Sequence, residues 1–241
     1  MSSVIKIIFV SVVLSAGQFI PCSVMAEDGG LSFSYRVIGG GYSGQNTTSG
    51  TEFQSDEGNQ SALSMAYQSG NFYTGLSLQG GQYTFTRQAP DQVTPAGTKQ
   101  VSNDKVTHSE IGLIFGYYII PNVSVYFGIK GVSDTWESNQ HQQEFAGGGL
   151  GVSGYKAITP NWAVYGSIAW ISSGELKYNG EKYGEGTSRS VDIGGLYKFT
   201  QSHRLIFGIK RSVYHYKYDS GDEQDHYIGG GFVGYSYAMG L

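Results

Sequence analysis

Large apolar residues fall on every second position along much of this chain. Ile111, Leu113, Phe115, Tyr117 and Ile119 alternate with Glu110, Gly112, Ile114, Gly116 and Tyr118. Val123, Val125, Phe127 and Ile129 alternate with Ser124, Tyr126, Gly128 and Lys130. Trp162, Val164, Ile168 and Trp170, and then Leu205, Phe207 and Ile209, repeat the pattern. A period of two marks a β-strand, whose successive side chains point to opposite faces. The alternation predicts strands at about 31–42, 61–68, 72–85, 108–120, 123–133, 146–158, 162–172, 188–199, 203–216 and 227–241. Their connections alternate in length. Turn formers make short links at 69–71, 121–122, 159–161 and 200–202. Polar stretches at 43–60, 86–107, 134–145, 173–187 and 217–226 make long ones.

The two faces of these strands differ in an unusual way. Val233, Tyr235, Tyr237, Met239 and Leu241 alternate with Gly234, Ser236, Ala238 and Gly240. The second face is too small and too weakly polar to serve as a solvated surface. Large side chains toward hydrocarbon and small ones toward a lumen are how a transmembrane β-strand reads. On these residues the chain resembles the bacterial outer-membrane β-barrel proteins. Their last strand carries apolar or aromatic residues at alternate positions counted back from the terminus. Tyr237, Met239 and Leu241 match that pattern, with Leu in place of the usual Phe. The resemblance implies an all-β fold: a closed, antiparallel, up-and-down transmembrane barrel of about ten strands, within a range of roughly eight to twelve. It also implies that the barrel-assembly machinery reads the final strand. An even strand number puts both termini and the short turns on the periplasmic side. In lipid an open sheet edge leaves N–H and C=O groups unpaired at several kcal/mol each, so strand 31–42 must close on strand 227–241. The triplets Gly39–Gly41 and Gly229–Gly231 should then meet across the seam.

The front of the chain agrees with export. Lys6 precedes an apolar core, Ile7–Leu14, and Val24-Met25-Ala26 resembles a cleavage site before Glu27. The core is too short for a spanning helix of about 20 residues. Residues 1–26 are therefore expected to be a signal peptide, and 27–241 a single outer-membrane barrel domain of a Gram-negative-type bacterium. The one cysteine, Cys22, falls in the first segment, so the exported chain would hold no thiol. Glycine numbers 37 and tyrosine 19 in 241 residues, while charged residues are only 14% against a typical ~25%. That balance suits strands in lipid.

Charge is sorted by position. Glu27 and Asp28 open the exported chain, Glu110 and Asp192 lie in strands, and every other acid falls in a long connection. The lumen-lining candidates are Arg36, Glu110, Lys130, Asp192, Lys198, Arg204 and Lys210, with Tyr126 and Tyr165 (and Tyr73 and Tyr118). A barrel of this size is only slightly wider than one that side chains fill. These charges therefore either pair and plug the lumen or line a narrow pore favouring small anions. Lys156 shares parity with Leu150 and Val152, and either snorkels to the interface or sits beyond a bulge. Trp136, Trp162, Trp170, Tyr117, Tyr155, Tyr197, Phe199, Tyr214, Tyr216 and Tyr218 near strand ends suit the interfacial aromatic girdles. Without Lys6 the chain carries 14 basic and 19 acidic residues, a net charge of −5. No basic stripe marks a nucleic-acid partner. The expected partners are outer-membrane lipid and lipopolysaccharide, with small solutes or a host surface ligand.

Catalytic pairs on a strand must stand two residues apart to share a face. Asp225 and His226 are adjacent, as are His108 and Ser109, and no His-x-Ser occurs. His108 and Glu110 share a face but lack a nucleophile at a suitable spacing, so His108 reads as a mouth residue. Asp222, Glu223 and Asp225 are a weak candidate for a hard cation, and otherwise a solvated loop tip. His141 reads as a polar loop residue. No catalytic residue and no cofactor are expected. The expected function is a narrow passive channel or structural barrel for ions and small solutes. The alternative is a surface adhesin whose long acidic loops bind host or matrix, and an outer-membrane hydrolase comes third.

Overall fold

The protein is known from a computed structural model that describes residues 29–178 and 180–240. The expected signal segment, Cys22 and Leu241 lie outside those residues. Thirteen strands run in order: β1 (Gly30–Asn46), β2 (Thr51–Gln54), β3 (Glu57–Ser69), β4 (Phe72–Gln88), β5 (Gln92–Thr94), β6 (Gly97–Lys99), β7 (Ser102–Ile120), β8 (Val123–Trp136), β9 (Gln142–Ala157), β10 (Trp162–Tyr178), β11 (Glu181–Lys198), β12 (His203–Tyr218) and β13 (Glu223–Gly240). Ten long strands, all but β2, β5 and β6, pair antiparallel with their sequence neighbours, and β13 pairs with β1. The sheet is a closed barrel. β2 is a flap on the outer end of β1, and β5–β6 form a separate hairpin.

The turn-side ends of the strands fall close to where the alternation puts them. The outer ends run further. β7 begins at 102 instead of 108, β10 continues to 178 instead of 172, and β11 begins at 181 instead of 188. The reason is a change of phase. In the lower barrel the large apolar residues point outward: Phe115 is 52% exposed, Leu150 66% and Ile209 62%. In the outer third they point inward, and Tyr42, Phe85, Val106, Trp136 and Phe145 are fully buried. β8 shows the switch within one strand. Val125, Phe127 and Ile129 face out, whereas Val132 and Trp136 face in. Below the switch the exterior is built for hydrocarbon. Above it the barrel behaves like a water-soluble one, with an apolar centre and a polar outside. The outward apolar row alone therefore marks only the lower part of each strand.

Four sequence expectations are corrected by that inversion. Trp136, Tyr214, Tyr216 and Tyr218 belong to no interfacial girdle; they fill the outer mouth from inside. Asp104 and Asp134 lie in β7 and β8 rather than in long connections, and both are buried, as is Asp91. His141 is buried against aromatic rings instead of lying in polar surroundings. His108 is fully enclosed and lines no open mouth. Trp162, Trp170, Tyr117 and Phe199 do face outward and are exposed, Tyr197 is half-buried, and Tyr155 belongs to no girdle because it packs inward against the cluster of Ile38, Ala62, Tyr165 and Phe232. Lys156 is exposed on the outer face beside the turn at 158–161, and the β9–β10 register is unbroken there, so no bulge reverses it.

The seam is set by glycine. Gly39 pairs with Gly231, Gly40 with Gly230 and Gly41 with Gly229. A Cβ on Gly40 or Gly230 would run into the opposing backbone, so the two strands approach more closely than other residues allow. Glycine has a second use inside. Tyr73, Tyr126 and Tyr165 lie opposite Gly116, Gly151 and Gly194, and each ring occupies the space that a Cβ there would take.

Candidate functional site: the capped lumen

Three layers fill the interior. At the short-turn end Ala163, Leu196 and Ile206 form an apolar floor, with Arg204 buried and its strand partner Lys198 half-exposed. Beside it Tyr73, Tyr118 and Tyr126 cluster, and the Tyr73 hydroxyl meets Ser124 Oγ at 3.0 Å. Above the floor Arg36 Nη1 donates to Asp192 Oδ2 at 2.6 Å, and its guanidinium lies 4.6 Å over the Phe232 ring. Tyr165 packs with Ile38 and Phe232 on the same level.

A charged knot follows. Glu110 accepts from the Tyr214 hydroxyl at 2.5 Å and stands 3.4 Å from both Lys130 Nζ and Lys210 Nζ. Gln79 bridges Lys210 to Gln60. His108 lies between two carboxylates, with Nδ1 2.7 Å from Asp134 Oδ1 and Nε2 3.2 Å from Glu110 Oε1. Tyr42 donates to Asp134 Oδ2 at 3.2 Å, and its hydroxyl is 2.6 Å from His226 Nδ1. A doubly protonated His108 would donate to both acids and leave the group of His108, Lys130, Lys210, Glu110 and Asp134 with one net positive charge. Burial without partners would make such charges costly; here each lies within 3.4 Å of a group of opposite charge, with Glu110 shared. A hollow of about 80 Å³ lies below Lys130, walled by Ser77, Tyr126, Ser153, Ser167 and Ile171.

The third layer is a cap. The stretch 86–107 folds back into the mouth instead of standing out as a loop. Ala89 and Val93 are fully buried, with Asp91 and Gln92 beside them. Trp136 Nε1 donates to the Pro90 carbonyl at 3.0 Å, Gln224 Nε2 to the Asp91 carbonyl at 3.0 Å, and Asn46 Nδ2 to Asp91 Oδ2 at 3.0 Å. Burial raises the Asp91 carboxyl above its usual range, against the hydrogen bonds from Asn46 and Gln88. At the start of the segment the Thr86 amide and hydroxyl both donate to Asp56 at 2.7 Å and hold that exposed carboxyl below its usual range. His141 stacks on Tyr178 and meets Trp136 edge-on, and burial pushes its ring down to about 4.

Asp222, Glu223 and Asp225 do not converge. Asp222 accepts from Thr98 and Ser220, Glu223 faces Lys217 at 3.7 Å and Asp225 faces His215 at 2.8 Å. Among the described residues no group of His, Cys, Asp or Glu has the arrangement of a metal site. Tyr237 and Met239 are half-buried on β13, where Tyr237 pairs with Phe33 and Met239 with Leu31 across the seam. Asp134, Tyr42, His226 and Gln79 also belong to the knot, beyond the lumen-lining candidates of the sequence. Continuing the alternation of β8 by one more inward step beyond Val132 reaches Asp134, which a loop beginning there conceals.

No protein-family model and no curated protein matches the sequence. Solved structures do resemble the fold. The outer membrane protease OmpT of Escherichia coli superimposes with a TM-score of 0.58 at 11% identity, over 89% of this chain and 98% of that one. An outer membrane channel from Pseudomonas putida F1 gives 0.47 at 11%, over 92% and 100%. The toluene transporter TodX of P. putida gives 0.36 at 10%, over 91% and 92%. The first of these aligns closely enough to speak to the fold, and it speaks to the fold alone.

Proposed function

We propose that this protein is an integral barrel of a bacterial outer membrane whose lumen is closed, and that it works through its outer rim as a surface-recognition barrel. One observation carries the reading: residues 89–93 are packed into the mouth above a buried charge knot. A passive channel needs a continuous water path, and a hydrolase needs solvent at its base. The burial of His108 and Asp134, at 0% and 2% exposure, lends support to neither of those readings. Glu137, Glu181, Glu185 and Asp219 stand exposed around the rim, so the partner is expected to be a host or matrix surface bearing cationic groups. The alternating Tyr237 and Met239 would serve the assembly machinery.

Planar-bilayer recording tests the closure. Intact protein should insert and stay silent, and a variant lacking residues 89–100 should conduct. Steady conductance from intact protein would return the reading to a passive channel. A gated anion path is the second reading, favoured by the hollow under Lys130. It requires that the shortened variant prefer anions and lose that preference in Lys130→Gln. The rim is tested by adhesion of displaying cells to a cationic surface, which neutralising Glu137, Glu181 and Glu185 together should weaken.

A further inference from the structure

Exposed cations on the outer reaches of β10 to β13 are mostly paired. Lys177, Lys182, His215 and Lys217 each lie within 3.7 Å of a carboxylate. Two arginines on the same strands differ. Arg189 and Arg211 point outward from β11 and β12, are exposed, and have no carboxylate within salt-bridge distance among the described residues. The nearby acids, Glu185, Glu223 and Asp225, stand further out and are already engaged.

Position explains the difference. Arg189 is two residues beyond Val191 and Arg211 two beyond Ile209, both members of the outward apolar belt. Two residues along a strand is about 7 Å, which sets both guanidiniums at headgroup depth, where arginine on a barrel exterior is tolerated. Val191 pairs with Arg211 and Arg189 with Val213, so the two arginines are diagonal neighbours on one face. Outward aromatics flank them: Trp170 is the strand partner of Arg189, and the Arg211 guanidinium lies 5.3 Å over Tyr227.

We propose that Arg189 and Arg211 together hold the phosphate of a phosphorylated outer-leaflet lipid, whose chains lie along Val191, Ile193 and Ile209. The proposal rests on the outer-membrane reading. Guanidinium forks match phosphate oxygens in pairs, and two of them on adjacent strands match one phosphate group.

The probe is phosphatidate in nanodiscs of a zwitterionic lipid, with retained lipid counted by native mass spectrometry. Intact protein should retain phosphatidate about tenfold over a neutral lipid with the same chains. Arg189→Gln with Arg211→Gln should erase that preference, while Arg87→Gln with Lys99→Gln leaves it. Equal loss in both double variants, or no loss in the first, overturns the site. Inorganic phosphate that displaces phosphatidate as readily as added phosphatidate does would overturn a lipid in favour of a free anion. Insertion without any phosphate preference sinks this proposal alone, whereas failure to insert sinks the membrane reading and the proposal with it.

Discussion

Single residues decide how tightly the interior fits. The Tyr73 ring occupies the space over Gly116 on the facing strand, so Gly116→Ala overpacks the lower lumen. We expect a loss of about 1–3 kcal/mol in urea unfolding from lipid vesicles. Combining it with Tyr73→Ala should cost less than the two losses summed, since the clash is shared. Glu110 is the common acceptor of Lys130, Lys210, His108 and Tyr214. Glu110→Gln leaves the buried Lys210 and the half-buried Lys130 without their carboxylate, and should cost about 3–5 kcal/mol by the same measurement. His141 supplies a pH dependence. Its ring is pushed down to about 4 from 6.5, with Nε2 buried and unpartnered. A lowered histidine stabilises fully above pH 6.5, and the contribution fades as pH falls toward 4. Asp91 acts oppositely, because its raised carboxyl is easier to bury once protonated. The His141→Gln variant separates the two. Hydrogen exchange at residues 89–93, corrected for intrinsic rates, should quicken from pH 6.5 to 4 in the parent and much less in the variant.

At the scale of elements, the sequence was legible wherever one physical rule governed a strand. The turn-side boundaries and the seam pairing of the glycine triplets follow from period two and the need to close, whereas the expected long connections at 173–187 and 217–226 are mostly strand, since β10 ends at Tyr178 and β11 begins at Glu181, and β12 ends at Tyr218 and β13 begins at Glu223. The outer reaches were not legible for a definite reason. Past Gly131 on β8 the apolar residues move from the odd positions to the even ones, and alternation with lipid outside becomes alternation with water outside. Trp136 therefore reads as a girdle residue although its ring faces inward. The cap was hidden differently. Residues 86–107 are mostly polar, and four of their apolar members, Ala89, Val93, Val101 and Val106, become meaningful only once the mouth they fill exists. Trp136 pins that cap through the Pro90 carbonyl. Trp136→Ala should make the hairpin susceptible to trypsin at Lys99, while the barrel itself stays resistant. A cap that remains uncut in this variant would mean its anchorage lies elsewhere.

The whole molecule is a barrel of two zones built from continuous strands. In the lower zone apolar side chains look outward and the lumen is filled by tyrosine, glycine and matched charge. In the outer zone the same strands enclose an aromatic core sealed by a hairpin. On the proposed function, this arrangement gives the rim a rigid platform over a filled lumen, and it fits a low-charge, glycine-rich composition. The three tryptophans sample both zones, since Trp162 and Trp170 are each 45% exposed on the exterior and Trp136 is buried inside the mouth. Brominated-lipid quenching of single-tryptophan variants is the most direct measurement. The account predicts strong quenching of Trp162 and Trp170 and almost none of Trp136, which aqueous acrylamide should also fail to reach. Quenching of Trp136 by the lipid, or its absence at Trp162 and Trp170, would contradict it.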